Sequence, residues 1–184
     1  MSSSPSTNPP QVFAIVVTYN NRDDISACLD SLAQNHATCP LHICLIDNAS
    51  TDGTQRRIRN FLENHPFGKN VQAIFNPGNT EFTAAVNQGL ACVPASAEYV
   101  LFLNPDTELP ADALEKLLAV FADHSIGVVA PQFLHSDGSV QPSCRRFPRH
   151  RDVFFNVLGL SALCKKSALF NGWKMGDFDH KSSR

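Results

Sequence analysis

The chain has 184 residues, a net charge of −2 and an apolar fraction of 43%. This length supports one domain with a buried core, and the near-neutral charge gives no electrostatic reason to expect nucleic acid as a partner. The longest apolar runs are too short to span a bilayer, and no basic segment leads into an apolar one as in a signal peptide. We therefore expect a cytoplasmic protein, with the inner face of the membrane as the alternative location.

The two ends of the chain differ in composition from its middle. Residues 1–10 are rich in Ser, Pro, Thr and Asn and predict a disordered leader. Residues 11–170 are patterned as a folded domain, and residues 171–184 predict an irregular tail. The six cysteines form no Cys-x-x-Cys pair, which disfavours zinc or a redox motif, and without a secretion signal we expect reduced thiols.

Alternating strand and helix patterns fill the first half of the chain. A strand is predicted from a continuous apolar run at Val12–Val17, and a helix from apolar residues at i, i+3, i+4 and i+7, which are Ile25, Cys28, Leu29 and Leu32. A second strand and a second helix are predicted at Leu41–Ile46 and Thr54–Asn64.

The alternation continues in the second half. Strands are predicted at Val71–Phe75, Tyr99–Leu103 and Ile126–Ala130, and helices at Phe82–Leu90, after Pro110, and at Val153–Leu163. A hairpin is predicted between Gln132–His135 and Val140–Ser143.

Such an alternation predicts an α/β fold, with a mostly parallel sheet, right-handed crossovers and helices on both faces. Ligands of these sheets bind beyond the carboxyl ends of the strands. The residues that follow each strand are therefore the candidates for function.

The fourth predicted strand ends in Asn104 and Asp106. Residues two apart on an extended segment point the same way, so both side chains can act on one ligand. Their oxygen atoms suit Mg²⁺ or Mn²⁺ and, through the cation, a diphosphate. The alternative is a plain turn, since Asn-Pro-Asp favours turns.

Polar residues also follow the first three strands. Thr18, Tyr19 and Asn20 come after the first strand and suit a base and ribose, or equally a cap and turn before the helix. Asp47 ends the second strand, where a carboxylate is costly unless paired, and it can accept a hydrogen bond from the ring N–H of uracil or thymine. Asn79 lies near the start of the third helix, where backbone N–H groups suit anions.

Two common phosphate-binding patterns are absent from the sequence. No Gly-x-Gly-x-x-Gly follows the first strand and no Gly-x-x-x-x-Gly-Lys occurs, which argues against a dinucleotide fold and a P-loop.

A cluster of basic residues precedes Val153–Leu163. It suits a membrane surface or phosphorylated lipid, but we favour a solvated loop; its members are Arg145, Arg146, Arg149, His150 and Arg151.

Five segments together resemble the family 2 glycosyltransferases, in particular the rhamnosyltransferase-like branch. Their order and spacing carry the resemblance, which covers nearly all of the chain after residue 10. The segments are IVVTYNN, LIDNASTDGT, NTEFTAAVNQG, LFLNPDTEL and APQFLHSDGSVQPSCRRFP, which begin at Ile15, Leu45, Asn79, Leu101 and Ala130.

The resemblance implies a GT-A fold and an inverting transfer in cell-wall or polysaccharide biosynthesis. The implied partners are a UDP- or dTDP-linked sugar, which the branch suggests is rhamnose, and a glycan or lipid-linked acceptor. The implied cofactor is a divalent metal, Mg or Mn. By position, the nucleotide-sugar site comprises Thr18, Tyr19, Asn20, Asp47, Asn79 and Asn104, and Asp106 is the metal ligand.

The sequence departs from the family pattern in two places. Glu81 stands where the family usually has Gly, and no Glu-Asp motif, which would supply the catalytic base, occurs before Arg184. We expect an incomplete catalytic domain that is inactive, or nearly so, alone. The alternatives are a non-catalytic nucleotide-sugar-binding module, a nucleotidyltransferase, or a gene fragment that does not fold stably alone.

Overall fold

The computed structural model describes residues 11–135, 137–163, 167, 169–170, 172–175 and 178. The predicted leader and most of the predicted tail lie outside the described residues. The chain divides after Gly127 into two compact units.

A four-stranded parallel sheet forms the centre of the first unit. Its strands are β1 (Val12–Thr18), β2 (Leu41–Asp47), β3 (Val71–Phe75) and β4 (Tyr99–Leu103), in the order β3-β2-β1-β4. The register pairs Thr18 with Asp47 and Asp47 with Phe75, so the carboxyl ends of these three strands lie level. The four strands are those that the sequence predicts, to within one residue.

Four helices alternate with these strands and confirm the predicted α/β fold. They are α1 (Ile25–Asn35), α2 (Thr54–Asn64), α3 (Phe82–Leu90) and α4 (Ala113–Val120), with a short 3₁₀ turn at Pro66–Asn70.

The two faces of β1 enter two separate cores. Val12, Ala14 and Val16 pack in a cluster with residues of α1, α2 and α4, whereas Phe13, Ile15 and Val17 pack in a cluster that includes Ala85 of α3. A continuous apolar strand results because both faces are covered. Helix α3 lies very close to the sheet, since a Cβ on Gly89 would come within 2.6 Å of Ile15 Cγ2.

A buried amide ties α1 to the segment that follows β4. Asn35 is fully buried, donates to the carbonyl oxygens of Ser31 (3.0 Å) and Pro110 (2.9 Å), and accepts from the backbone N–H of Leu114 (3.1 Å). These bonds hold the start of α4, and with it the end of the loop that begins at Asn104.

The described residues of the second unit form a short hairpin and two helices. Strands β5 (Phe133–Leu134) and β6 (Val140–Gln141) are antiparallel, as predicted but shorter. The helices are α5 (His150–Val157) and α6 (Leu160–Leu163). No described helix is both long and apolar enough to cross a membrane.

Two predicted elements of this region are wrong. Residues Ile126–Ala130 form no strand, and Val128 is 87% exposed. An apolar run forms a strand only where it pairs with a neighbouring strand and buries its side chains in a core. The predicted helix Val153–Leu163 begins earlier, at His150, and is broken at Gly159, whose φ of 74° is left-handed and ends the first helix.

Candidate active site

A cavity of about 350 Å³ opens at the carboxyl ends of the strands in the first unit. The loops that follow all four strands contribute to it, as expected for a parallel α/β sheet. Its lining residues are Val17, Tyr19, Asn21, Asn48, Asn79, Glu81, Phe82, Asn104, Pro105 and Asp106.

Four of the seven predicted site residues line this cavity, namely Tyr19, Asn79, Asn104 and Asp106. The other three, Thr18, Asn20 and Asp47, lie in the same loops or strand ends but do not line it. Three further lining residues were not predicted as site residues, namely Asn21, Asn48 and Phe82. Asn48 follows Asp47 directly, and this adjacency was the available signal.

Thr18 and Asn21 set the conformation of the loop after β1. Thr18 is buried, and its Oγ1 donates to Asn21 Oδ1 at 3.2 Å. The same Oδ1 accepts from the backbone N–H of Tyr19 at 3.2 Å. These bonds hold the half-exposed ring of Tyr19 beside the cavity, where it offers a flat face and a hydroxyl to a ligand.

Asn20 joins the loops that follow β1 and β2. Its φ of 57° is left-handed, a conformation that Asn tolerates better than most residues. Its backbone N–H donates to Ser50 Oγ and its Oδ1 accepts from the N–H of Thr51, both at 2.9 Å. With the side chain engaged in this way, direct contact between Asn20 and a ligand stays a prediction.

Asp47 is a buried carboxylate with one oxygen unsatisfied. The side chain is 1% exposed, and its Oδ2 accepts from the N–H of Ser50 (3.0 Å) and from Gln55 Nε2 (2.6 Å). Its Oδ1 is buried without a hydrogen-bond partner. A buried carboxylate oxygen without a donor is costly, so the site has the chemistry to accept an N–H from a ligand.

A network of side-chain amides joins β2, β3 and α3. Asn48 Oδ1 accepts from the N–H and Oγ1 of Thr80, both at 3.0 Å, and from Asn76 Nδ2 at 3.2 Å. Asn76 and Gln88 exchange two further bonds at 3.1 and 3.2 Å. This network fixes the loop between β3 and α3 against the end of β2.

Asn79 is oriented so that it offers a donor. Its Oδ1 accepts from Asn48 Nδ2 (2.8 Å) and from the backbone N–H of Glu81 (2.9 Å). Because a backbone N–H can pair only with the amide oxygen, the second bond settles which way the amide points. The NH₂ group of Asn79 is therefore the part suited to a ligand, and it matches a phosphate or sugar oxygen rather than a cation.

The β4 side of the cavity presents oxygen atoms. Asn104 and Asp106 are exposed side chains that line it, and a carboxylate with an amide oxygen suits a hard divalent cation. Within the described residues, no group of three or more His, Cys, Asp or Glu side chains is placed to hold a metal by itself. A cation here would take further ligands from phosphates or water.

Cys28 lies close to this side but is not a nucleophile. Its thiol donates to the carbonyl oxygen of Asn104 at 3.8 Å. Burial, with the nearby negative charges of Asp106 and Glu108, raises the pKa of Cys28 to about 12. The thiol is therefore protonated near neutral pH.

Comparison with known proteins identifies the family. The sequence model of "Glycosyl transferase family 2" matches residues 13–167. The N-acetylglucosaminyl-diphospho-decaprenol L-rhamnosyltransferase of Mycobacterium tuberculosis is 28% identical over 144 residues, which cover 73% of this chain and 45% of that protein. The teichoic acid poly(glycerol phosphate) polymerase of Staphylococcus epidermidis is also 28% identical over 144 residues, 78% of this chain and 19% of the relative.

Solved structures share the fold. The mannosyltransferase PcManGT from Pyrobaculum calidifontis, solved in complex with GDP-Man and Mn²⁺, superposes with a TM-score of 0.59 at 29% identity, covering 66% of this chain and 35% of that one. S. aureus TarS 1–349 superposes with a TM-score of 0.52 at 22% identity, covering 66% and 38%, and supports the fold alone.

The chain therefore spans less than half of the length of these relatives. The family model nevertheless extends over most of it, and the parallel sheet with its cavity at the strand ends is what the GT-A fold requires. The chain belongs to glycosyl transferase family 2.

Proposed function

We propose that this chain forms the donor-binding part of a glycosyltransferase, which moves a sugar from a nucleoside diphosphate to a glycan or lipid-linked acceptor. The observation that carries the proposal is that two carboxylates in contrasting surroundings follow strands of the same parallel sheet. Asp47 is buried with an oxygen that lacks a donor, and Asp106 is exposed in the cavity. The first suits a base and the second suits a cation with a diphosphate.

The nucleoside end of the donor is assigned to the β1–β2 side. Asp47 Oδ1 would accept a ring N–H, which uracil, thymine and guanine carry and cytosine and adenine lack in their neutral forms. Tyr19, half exposed at the cavity wall, would lie against the base or ribose. Our preference for UDP or dTDP follows from the sequence, and the GDP-Man bound by PcManGT makes GDP the alternative to test.

The diphosphate end is assigned to the β4 side. Asp106 and Asn104 would hold Mg²⁺ or Mn²⁺, and the NH₂ group of Asn79 would donate to a phosphate or sugar oxygen. A bound divalent cation supplies positive charge that offsets the charge growing on the leaving nucleoside diphosphate. The Mn²⁺ in the PcManGT complex supports this assignment. We assign no catalytic base to the residues described.

An exposed surface of the second unit supports a membrane-linked acceptor. Phe147 is 97% exposed, and Phe154 and Val157 are exposed on α5, while Arg145 and Arg149 are exposed just before this helix. Apolar side chains beside arginines are the composition of surfaces that bind anionic lipid. This supports lipid contact over the solvated loop favoured by the sequence, and the predicted cytoplasmic location at the membrane stays a prediction.

Co-sedimentation with vesicles tests the membrane contact. We expect the chain to bind phosphatidylglycerol vesicles more tightly than phosphatidylcholine vesicles, and the double change Arg145→Ala with Arg149→Ala to reduce that binding about thirtyfold, since each basic residue near an anionic surface contributes about 1 kcal/mol. Arg59→Ala, which alters a basic residue of the first unit, is the control. Equal binding to both vesicle types would contradict this part of the proposal.

Calorimetric titration tests the donor site itself. We expect UDP, dTDP or GDP to bind more tightly with Mn²⁺ than without, and Asp106→Asn to abolish most of that gain while the melting temperature changes little, because Asp106 is exposed. Asp30→Asn, an exposed carboxylate of α1, is the matched control. Nucleotide binding that is identical in the wild type and Asp106→Asn would contradict the assigned role of Asp106.

Measuring turnover of the donor distinguishes a glycosyltransferase from the two alternative functions, a binding module and a nucleotidyltransferase. A non-catalytic nucleotide-sugar-binding module would bind the donor without hydrolysing or transferring it. Slow, Mn²⁺-dependent release of the nucleoside diphosphate from a nucleotide sugar would support the enzyme. Release of pyrophosphate from a sugar phosphate and a nucleoside triphosphate would instead support a nucleotidyltransferase.

A further inference from the structure

Glu81 occupies an unusual backbone position at the start of α3. Its φ of 67° and ψ of 160° belong to a region that glycine adopts freely and other residues rarely adopt. The backbone is nonetheless held, because its N–H donates to Asn79 Oδ1 at 2.9 Å and its carbonyl accepts from the N–H of Ala85 at 3.2 Å. These two bonds hold a glycine-like conformation at a residue that carries a side chain, at the position where the resemblance predicts glycine.

The Glu81 side chain faces ligand space. It makes no capping bond to α3, it is exposed, and it lines the same cavity as Asp106. Among the described residues that line this cavity, none is Lys, Arg or His. A diphosphate that entered without a cation would therefore meet the carboxylates of Glu81 and Asp106 and no positively charged side chain from this described part of the wall.

We propose that Glu81 makes nucleotide binding in this cavity conditional on a divalent cation. Its carboxylate repels a bare diphosphate, and the repulsion disappears once the charge of the diphosphate is neutralised by a cation. The inference rests on the proposed donor site and adds a determinant that selects the cation-bound nucleotide over the free one. A glycine at this position would lack that selection.

The size of the effect follows from elementary electrostatics. Two unit charges separated by about 7 Å at an effective dielectric constant between those of a protein surface and water interact by roughly 1 kcal/mol, which corresponds to about a fivefold change in a binding constant. A diphosphate carries at least two charges, which would raise the factor to about 25-fold without salt, and with screening by salt we expect about tenfold. Salt weakens it, since the cavity is open to solvent.

The test compares Glu81→Gln with the wild type in calorimetric titrations of UDP, dTDP and GDP, with Mn²⁺ and without any divalent cation. The glutamine variant removes the charge but keeps the backbone conformation, side-chain length and polarity. We expect it to bind nucleotide about tenfold more tightly than the wild type without cation, and equally tightly with saturating Mn²⁺. Glu81→Gly, which also relieves the backbone, should show the same change.

A matched control lies in the loop after β4. Glu108 is an exposed carboxylate that does not line the cavity, so Glu108→Gln should change the cation dependence less than twofold. By thermodynamic linkage, the factor by which Mn²⁺ improves nucleotide binding equals the factor by which nucleotide improves Mn²⁺ binding. Electron paramagnetic resonance of free Mn²⁺ then gives a second, independent reading of the same coupling.

The outcomes separate this inference from the proposed function. If the wild type binds nucleotide with Mn²⁺ but Glu81→Gln keeps the same cation dependence, the inference is overturned and the donor site stands. Weaker Mn²⁺-dependent binding by Glu81→Gln would also overturn it, because Glu81 would then be a cation ligand. If the wild type binds none of the three nucleotides under either condition, the proposed function fails, and the inference with it.

Discussion

The two sides of the cavity are built in opposite ways. On the β2–β3 side, the amide groups of Asn48, Asn76 and Gln88 bond to one another and to the backbone. On the β4 side, Asn104 and Asp106 are exposed. The bonded amides of Asn48, Asn76 and Gln88 form a frame that shapes the cavity, whereas Asn104 and Asp106 offer free oxygen atoms to a ligand. A polar residue at a strand end is therefore not by itself a ligand contact.

The largest expected effect comes from the centre of the frame. Asn48→Ala removes the acceptor shared by Thr80 and the amide of Asn76, together with the bond donated to Asn79, and each lost hydrogen bond costs about 0.5–1.5 kcal/mol. We expect a loss of about 3 kcal/mol in the free energy of unfolding, measured by urea denaturation.

Asn104→Ala is the matched control for this change. It removes an asparagine from the same cavity, but one whose side chain is exposed, and we expect less than about 0.5 kcal/mol. Equal losses in the two variants would break the distinction between the frame and the open side.

A slightly smaller effect is expected at the anchor of the open side. Asn35→Ala removes two donated bonds and one accepted bond between α1, Pro110 and Leu114, and we expect a loss of about 2 kcal/mol. Hydrogen exchange of the Leu114 amide should accelerate in this variant. Asn64→Ala, which loses only bonds to Asn60 within α2, should leave both measurements near wild-type values.

The smallest effect depends on pH and belongs to the loop between β2 and α2. Hydrogen bonds from the hydroxyl and N–H of Thr54 and from the N–H of Arg22 lower the pKa of Asp52 in the folded state. A carboxyl group with a lowered folded-state pKa stabilises the fold above its unfolded pKa, and this contribution is lost as the pH falls through the folded value.

Asp52→Asn should therefore be less stable than the wild type at pH 7, and the gap should narrow below pH 4 as Asp52 becomes protonated. Thermal melts between pH 3 and 7 measure this gap. Asp30→Asn, which changes an exposed carboxylate of α1, should show no such trend. A gap for Asp52→Asn that widens towards low pH would contradict the assigned cause.

Much of the first unit was predictable because its physical signals are local. The strands at Val12 and Leu41 are continuous apolar runs buried on both faces, and α1 and α2 follow from apolar residues spaced three and four apart. The segment at Ile126 is also apolar, but it pairs with no strand of the described residues. Whether other elements cover such a segment cannot be read from the segment's own residues.

The cavity was predictable at the level of strand ends and less so at the level of single side chains. Asn104 and Asp106 line it as their two-residue spacing indicates. At β2 it is Asn48 rather than the predicted Asp47 that lines the wall, since neighbouring residues at a strand end face different ways. The pairing of Asn48 with Asn76 and Thr80 joins residues about 30 positions apart, which no local pattern reveals.

The most direct measurement is a crystal structure with UDP and Mn²⁺, in which anomalous scattering locates the manganese. We expect the manganese to be bound by Asp106 and the diphosphate, and a ring N–H of the base to lie within hydrogen-bond distance of Asp47 Oδ1. A nucleotide bound away from this cavity, or bound in it with Asp47 Oδ1 still unpartnered and no manganese at Asp106, would contradict the assigned donor site.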